Sequence, residues 1–166
     1  DAPVVPDGRP CPCGKRGCWE RYCSGTALVD NVVELVAAGM HRTSPLARET
    51  AVDPGSLTGR RVAAAAHDGD PMGLAALADF SRWLGYGLAL IGDVFDPDLI
   101  VLAGGVGASS GLFLDEARDL DAALLTGSGH RRLARIRGTQ LGEAAGVIGA
   151  SAIARSDLSP VASAAR

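Results

Sequence analysis

Cys11-Pro12-Cys13-Gly14-Lys15-Arg16-Gly17-Cys18-Trp19-Glu20 places three of the chain's four cysteines in one short loop. The spacing Cys-x-Cys-x4-Cys sets three soft sulfurs around a tight turn. Zinc takes four ligands in a tetrahedron, and thiolate is one that it favours. Gly14 and Gly17 let the backbone bend sharply enough for the sulfurs to converge. Glu20 follows at once, so the same loop can carry a carboxylate toward a neighbouring site. Disulfides are the competing reading for close cysteines in a small secreted domain. No secretion segment is visible in this sequence, and Cys11 and Cys13 are too close for an easy mutual bridge. Inert thiols are the third possibility, and the metal is the favoured one. The fourth ligand stays open. Cys23 lies five residues past Cys18 and is one candidate, although a buried, unreactive thiol is the commoner fate of such a residue.

Outward from this loop the chain reads as a globular α/β domain. Its net charge of −3 and pI near 5.5 argue against the basic patch that a nucleic-acid footprint needs. The longest apolar stretch, Leu84 to Val94, is broken by Gly85, Gly87 and Gly92 and carries Asp93. It is too short to span a membrane. No internal repeat is present.

Helical spacing of Tyr22, Leu28, Val32, Leu35 and Val36 predicts helix from Trp19 to about Ala38. Ser24-Gly25-Thr26 interrupts it, with Thr26 a candidate cap for a second helix. The polar stretch His41 to Leu57, with Pro45, Pro54 and Gly55, predicts a loop. A short helix is expected from Thr58 to His67, capped by Thr58. A long one is expected from Pro71 to about Val94, with Leu74, Leu77, Phe80, Leu84, Leu88 and Ile91 as its buried stripe. Gly85 and Gly87 inside it are read as places where a neighbour packs close. Leu99-Ile100-Val101-Leu102 predicts a buried parallel strand, and Ala103-Gly104-Gly105-Val106-Gly107 a turn at its carboxyl end. Further helix is expected from Gly111 to Leu125, a second strand over Ala134 to Leu141, and a closing helix over Glu143 to Ala154. Residues 156–166 read as a frayed tail.

Glycines at the carboxyl end of a parallel strand let a ligand approach the backbone. Taken alone this turn is a weak signal. It is not a P-loop, because no Lys-Ser or Lys-Thr pair follows, and its glycine spacing is wrong for a dinucleotide fingerprint. His41, His67 and His130 lie outside metal spacing and read as surface residues. Arg131, Arg132, Arg135 and Arg137 read as a solvated basic face.

The stretch Val4-Val5-Pro6-Asp7-Gly8-Arg9-Pro10-Cys11 through Cys18-Trp19-Glu20-Arg21-Tyr22 resembles the zinc motif of the ROK family (repressors, open reading frames and sugar kinases), and most of all that of its ATP-dependent glucokinases. Phe95 to Val106 and Leu141-Gly142-Glu143-Ala144-Ala145-Gly146-Val147-Ile148-Gly149-Ala150 are similar to two further family segments. The resemblance implies an α/β fold, the C-terminal lobe of an actin-like (ribonuclease H-like) sugar kinase, over residues 1–155. It implies a structural Zn2+ on Cys11, Cys13 and Cys18. Aligned without gaps, a family histidine that completes the site falls on Asp1, a harder oxygen ligand; the alternative is a small insertion, with the sequence beginning just after that histidine. Glu20 falls where the family binds sugar hydroxyls, and Gly104, Gly105 and Val106 fall beside the adenosine of ATP. ATP with Mg2+, glucose or a related hexose, a homodimer and a cytoplasmic setting are implied in the same way. The family's phosphate loops and its catalytic aspartate have no counterpart here. The expectation is therefore a C-terminal portion that lacks the base and is inactive alone. A sugar-responsive repressor and a stand-alone zinc-binding module are the alternatives.

Overall fold

The computed structural model describes residues 2–104 and 109–157. Most of the chain is helical, and one helix organises the rest. A 3-10 turn over Trp19–Arg21 leads into α1 (Gly25–Ala37), whose cap is Ser24 rather than Thr26. The Ser24 hydroxyl accepts from the Ala27 N–H at 3.1 Å. Next come α2 (Pro45–Val52), a 3-10 turn at Pro54–Ser56, α3 (Gly59–His67) and α4 (Pro71–Phe95). Strand β1 (Leu99–Leu102), a 3-10 turn at Ser110–Leu112, α5 (Leu114–Leu124) and β2 (Arg135–Gly138) follow. After a last 3-10 turn at Gly142–Ala144, α6 (Ala145–Asp157) reaches two residues past the boundary expected at 155.

Helix α2 corrects the expectation of a loop. Ser44 caps it and Pro45 takes its first position, where proline costs no hydrogen bond. Asp70 does more. Its Oδ1 accepts from the Met72 N–H at 2.8 Å, capping α4, and from the Ser44 hydroxyl at 2.6 Å. Its Oδ2 accepts from the Leu46 N–H at 3.0 Å. One carboxylate thus serves the starts of two helices. Burial pushes the Asp70 pKa up, but these donors outweigh it and hold the group below the usual carboxylate range.

The core forms around α4, which packs against α1, α3 and α5. Leu77, Phe80, Leu84 and Leu88 are buried as the helical spacing predicts. Leu74 is not, at 50% exposure, because Met72, Gly73 and Ala76 carry the buried face at that end. Phe80 meets Phe113 edge to face at 4.9 Å between ring centroids. The glycines of α4 mark close approaches. A methyl group at Gly85 would crowd the Ala117 carbonyl and Leu120 of α5, and one at Gly92 would strike Leu125. The whole of α4 is longer than its apolar run and is long and apolar enough to cross a membrane. Half of its most apolar window is buried in the protein, the position of a core helix.

Strands β1 and β2 pair in parallel, with Leu99 opposite Arg135 and Leu102 opposite Gly138. The link between them runs through α5, as a parallel pair requires a crossover. β1 is not the fully buried strand expected. Leu99 and Val101 are 45% and 52% exposed, because nothing among the described residues covers that face.

Candidate metal centre and the loop it organises

The loop from Pro3 to Trp19 folds back on itself through the backbone. Isolated bridges join Pro3 to Cys18 and Pro10 to Arg16. The Gly17 carbonyl accepts from the Val4 N–H at 2.8 Å, and the Gly17 N–H donates to the Arg9 carbonyl at 2.8 Å. Gly14 closes the knuckle by donating to the Cys11 carbonyl at 3.0 Å. Both glycines have φ in the left-handed region, +87° and +69°. At Gly17 a side chain would also overlap the Val5 carbonyl, so that position admits only glycine.

This backbone brings the three sulfurs together. Their Sγ atoms all lie within 4.8 Å of one another, and Cys13 Sγ and Cys18 Sγ are 3.6 Å apart. Two thiolates on a tetrahedral zinc, each at about 2.3 Å, stand about 3.8 Å apart. A disulfide would need about 2.05 Å, and all four cysteines are free thiols. The donor set therefore fits a divalent, thiophilic metal.

The three sites differ. Cys18 is fully buried, and burial followed by its contacts with Cys13 and Cys11 pushes its thiol up to about 11. Cys13 is exposed, and the Lys15 backbone N–H, followed by the Cys11 thiol, holds its pKa below the ordinary thiol value. Cys23 does not join them. It is half-buried against the hydrophobic core, and burial raises its thiol to about 12. Asp1, the position aligned with the family histidine, lies outside the described residues.

The knuckle is anchored to two helices. Arg9 donates to Glu34 (Nε to Oε1, 2.9 Å) and to Asn31 Oδ1 (2.9 Å) on α1, and to the Arg21 carbonyl. Its guanidinium also lies over the Tyr22 ring, 4.9 Å from the centroid. Trp19 Nε1 donates to the Trp83 carbonyl of α4 at 2.8 Å. The Trp19 indole occupies the space that a Gly87 side chain would fill, which accounts for that glycine. Sequence reasoning missed Arg9 and Trp19 as anchors, because each acts through a partner 12 to 64 residues away.

Glu20 sits between these anchors, on the 3-10 turn directly after Cys18-Trp19. Its side chain is exposed, and among the described residues no donor meets its carboxylate. A three-residue turn supplies little dipole to attract an acid.

Gly104, two residues past β1, has φ +80°, and a side chain there would meet nothing within 4 Å among the described residues. Gly105 and Val106 lie outside the described residues. A cleft of about 360 Å³ runs between α3 and the Ser110–Leu112 turn, lined by Arg60, Ala63, Ala64, His67, Gly111 and Leu112. Arg60, Ala63, Ala64 and His67 recur at helical spacing on one face of α3. His41 and His130 are exposed. Arg131 departs from the solvated face expected of it. It binds Asp93, Asp96 and the Gly92 carbonyl, clasping the end of α4.

The chain is similar to known proteins over most of its length. The chain is 36% identical over 152 residues to a glucokinase of Streptomyces coelicolor, covering 92% of this chain and 48% of that protein. It superposes on the crystal structure of a ROK family glucokinase from Streptomyces griseus in complex with glucose and AMPPNP, with TM-score 0.82 and 35% identity over 93% of this chain and 50% of that one. It is also 27% identical over 150 residues to a putative xylose repressor of Caldicellulosiruptor, covering 89% of this chain and 36% of that protein. The chain spans about half the length of the glucokinases it matches. The fold is that of the actin-like sugar kinases. The ROK family model matches residues 2–157, and the chain belongs to the ROK family.

Proposed function

We propose that this chain is a lobe of an ATP-dependent glucokinase that forms glucose 6-phosphate, and that it supplies one wall of the sugar site and part of the nucleotide site. One observation carries the reading. An exposed carboxylate that meets no donor among the described residues, Glu20, follows a three-sulfur cluster whose atoms lie within 4.8 Å of one another. Such a cluster holds a structural zinc, with Cys11, Cys13 and Cys18 as ligands and no part in bond-making. When bound, the metal fixes the loop that aims Glu20.

The chemistry follows from the groups. A carboxylate offers several acceptor sites and can take hydrogen bonds from two adjacent hydroxyls of a hexose. That contact fixes the sugar so that another of its hydroxyls meets the γ-phosphoryl group in line. Phosphoryl transfer depends mostly on positioning and charge stabilisation. The Gly104 turn lets a nucleotide approach the backbone past the end of β1. The α3 cleft offers alanine walls for a flat base between Arg60 and His67. Magnesium accompanies the nucleotide and counters its phosphate charge. None of the described residues is assigned as the base that takes the hydroxyl proton. The repressor reading is less favoured, because the similarity to the xylose repressor is lower and covers less of that protein.

The test is Glu20→Gln in the phosphorylating enzyme that carries this lobe. Glutamine keeps the size but loses the charged acceptor, and a charge-assisted hydrogen bond is worth about 1.5–3 kcal/mol. kcat/KM for glucose should fall roughly tenfold to a hundredfold, while the KM for ATP moves little. Unchanged glucose kinetics would remove Glu20 from the sugar site.

A further inference from the structure

The three sulfurs are unequal in access. Cys18 is sealed and Cys11 nearly so, while Cys13 faces solvent at the tip of the knuckle. Cys13 Sγ is also 3.6 Å from Cys18 Sγ, a separation that a small side-chain rotation converts to a bond. Cys23 is held apart against the core. We infer that Cys13 is an oxidant-sensing modification site, and that peroxide converts the Cys13–Cys18 pair to a disulfide, which releases the metal and loosens the loop bearing Glu20. The inference rests on the metal-site reading above.

The step balances with a hydroperoxide as oxidant. A sulfur held by a divalent metal is a thiolate. The Cys13 sulfur attacks one peroxide oxygen, the O–O bond breaks, and hydroxide leaves and takes a proton to become water. Cys13 is then a sulfenic acid. The Cys18 thiolate attacks that sulfur, the S–S bond forms, and a second hydroxide leaves as water. Two electrons pass from the two sulfurs to the peroxide. With two of its three sulfur ligands joined to each other, the site no longer holds the metal, which departs. Thiol reductants reverse the disulfide, and added zinc then refills the site.

The consequence reaches α4 through Trp19, which is one residue past Cys18, bonded to the Trp83 carbonyl and seated on Gly87. Tyr22 stacks on Trp83 with ring centroids 4.6 Å apart. Both tryptophans of the chain therefore report on the knuckle.

The test treats the zinc-loaded chain with hydrogen peroxide and follows three signals: intact mass with peptide mapping, metal captured by a chromogenic chelator, and tryptophan fluorescence. The expected result is a loss of two hydrogen masses and a Cys13–Cys18 linked peptide. Metal release and the fluorescence change should share its time course. Cys11 and Cys23 should stay alkylatable after unfolding, and reductant plus zinc should restore the starting state. Cys13→Ser should slow peroxide-driven disulfide formation at least tenfold. If that variant misfolds, the peptide map of the unsubstituted chain decides alone. Metal retained without a disulfide, a linkage through Cys23, or direct overoxidation of Cys13 would overturn the inference and leave the metal reading intact. A chain that takes up no zinc yet still forms the Cys13–Cys18 bond would remove the metal reading and the release step, and would keep Cys13 as the oxidised site.

Discussion

Single residues carry most of what is distinctive here. The cysteine spacing was legible because one loop holds all three sulfurs, and local backbone bonds suffice to gather them. Cys23 was not decided by spacing, since only packing shows that it turns to the core. Asp121 was invisible in the sequence. It is buried on α5, and burial, followed by the nearby Asp93 charge, raises its pKa above the usual carboxylate range. The folded state therefore keeps a proton that the unfolded chain has already lost above about pH 3.9. Stability falls as pH rises from that value through the folded pKa, then levels. Asp121→Asn should raise the melting temperature at neutral pH, by roughly 2–4 °C per kcal/mol relieved, and change it little in strong acid. A lower melting temperature at neutral pH would show that the charge is stabilised there.

At the scale of elements, local signals served well where they matched tertiary packing. Thr58 caps α3 by accepting from the Arg61 N–H at 3.2 Å, and Pro71 opens α4. The α2 helix shows the limit. Ser44-Pro45 is a start signal, but its second support, Asp70, lies 26 residues from Ser44 and cannot be seen in a short window. The open face of β1 likewise depends on what lies beside the strand, which an apolar run cannot reveal. The shared cap makes a prediction. Asp70→Ala removes an N-cap and leaves the buried Ser44 hydroxyl without its acceptor, a loss of roughly 2–3 kcal/mol from the two terms. Because the folded pKa of Asp70 is lowered, its contribution is present above the unfolded value and is lost as pH falls through the folded one. Denaturant midpoints of variant and parent should differ clearly at neutral pH and converge in acid. A difference that persists unchanged in strong acid would assign the effect to packing instead.

For the molecule as a whole, the proposed metal knuckle and the open Gly104 turn stand at different places on one α4-centred frame. Anchors on α1 and α4 hold the first, and the end of β1 holds the second. An α/β chain was readable from the apolar run of β1 and the helical spacing of α4, while the actin-like class was implied only by the family resemblance. The tie between knuckle and core was not readable, because Trp19 and Gly87 meet only in three dimensions. The account stands or falls on the metal that is proposed to organise the knuckle. Elemental analysis of the purified chain, paired with melting before and after chelation, measures this directly. It should return about one zinc per chain, with a melting temperature that drops when the zinc is stripped and recovers on its return. A zinc-free chain with the same fold and the same melting temperature would contradict it.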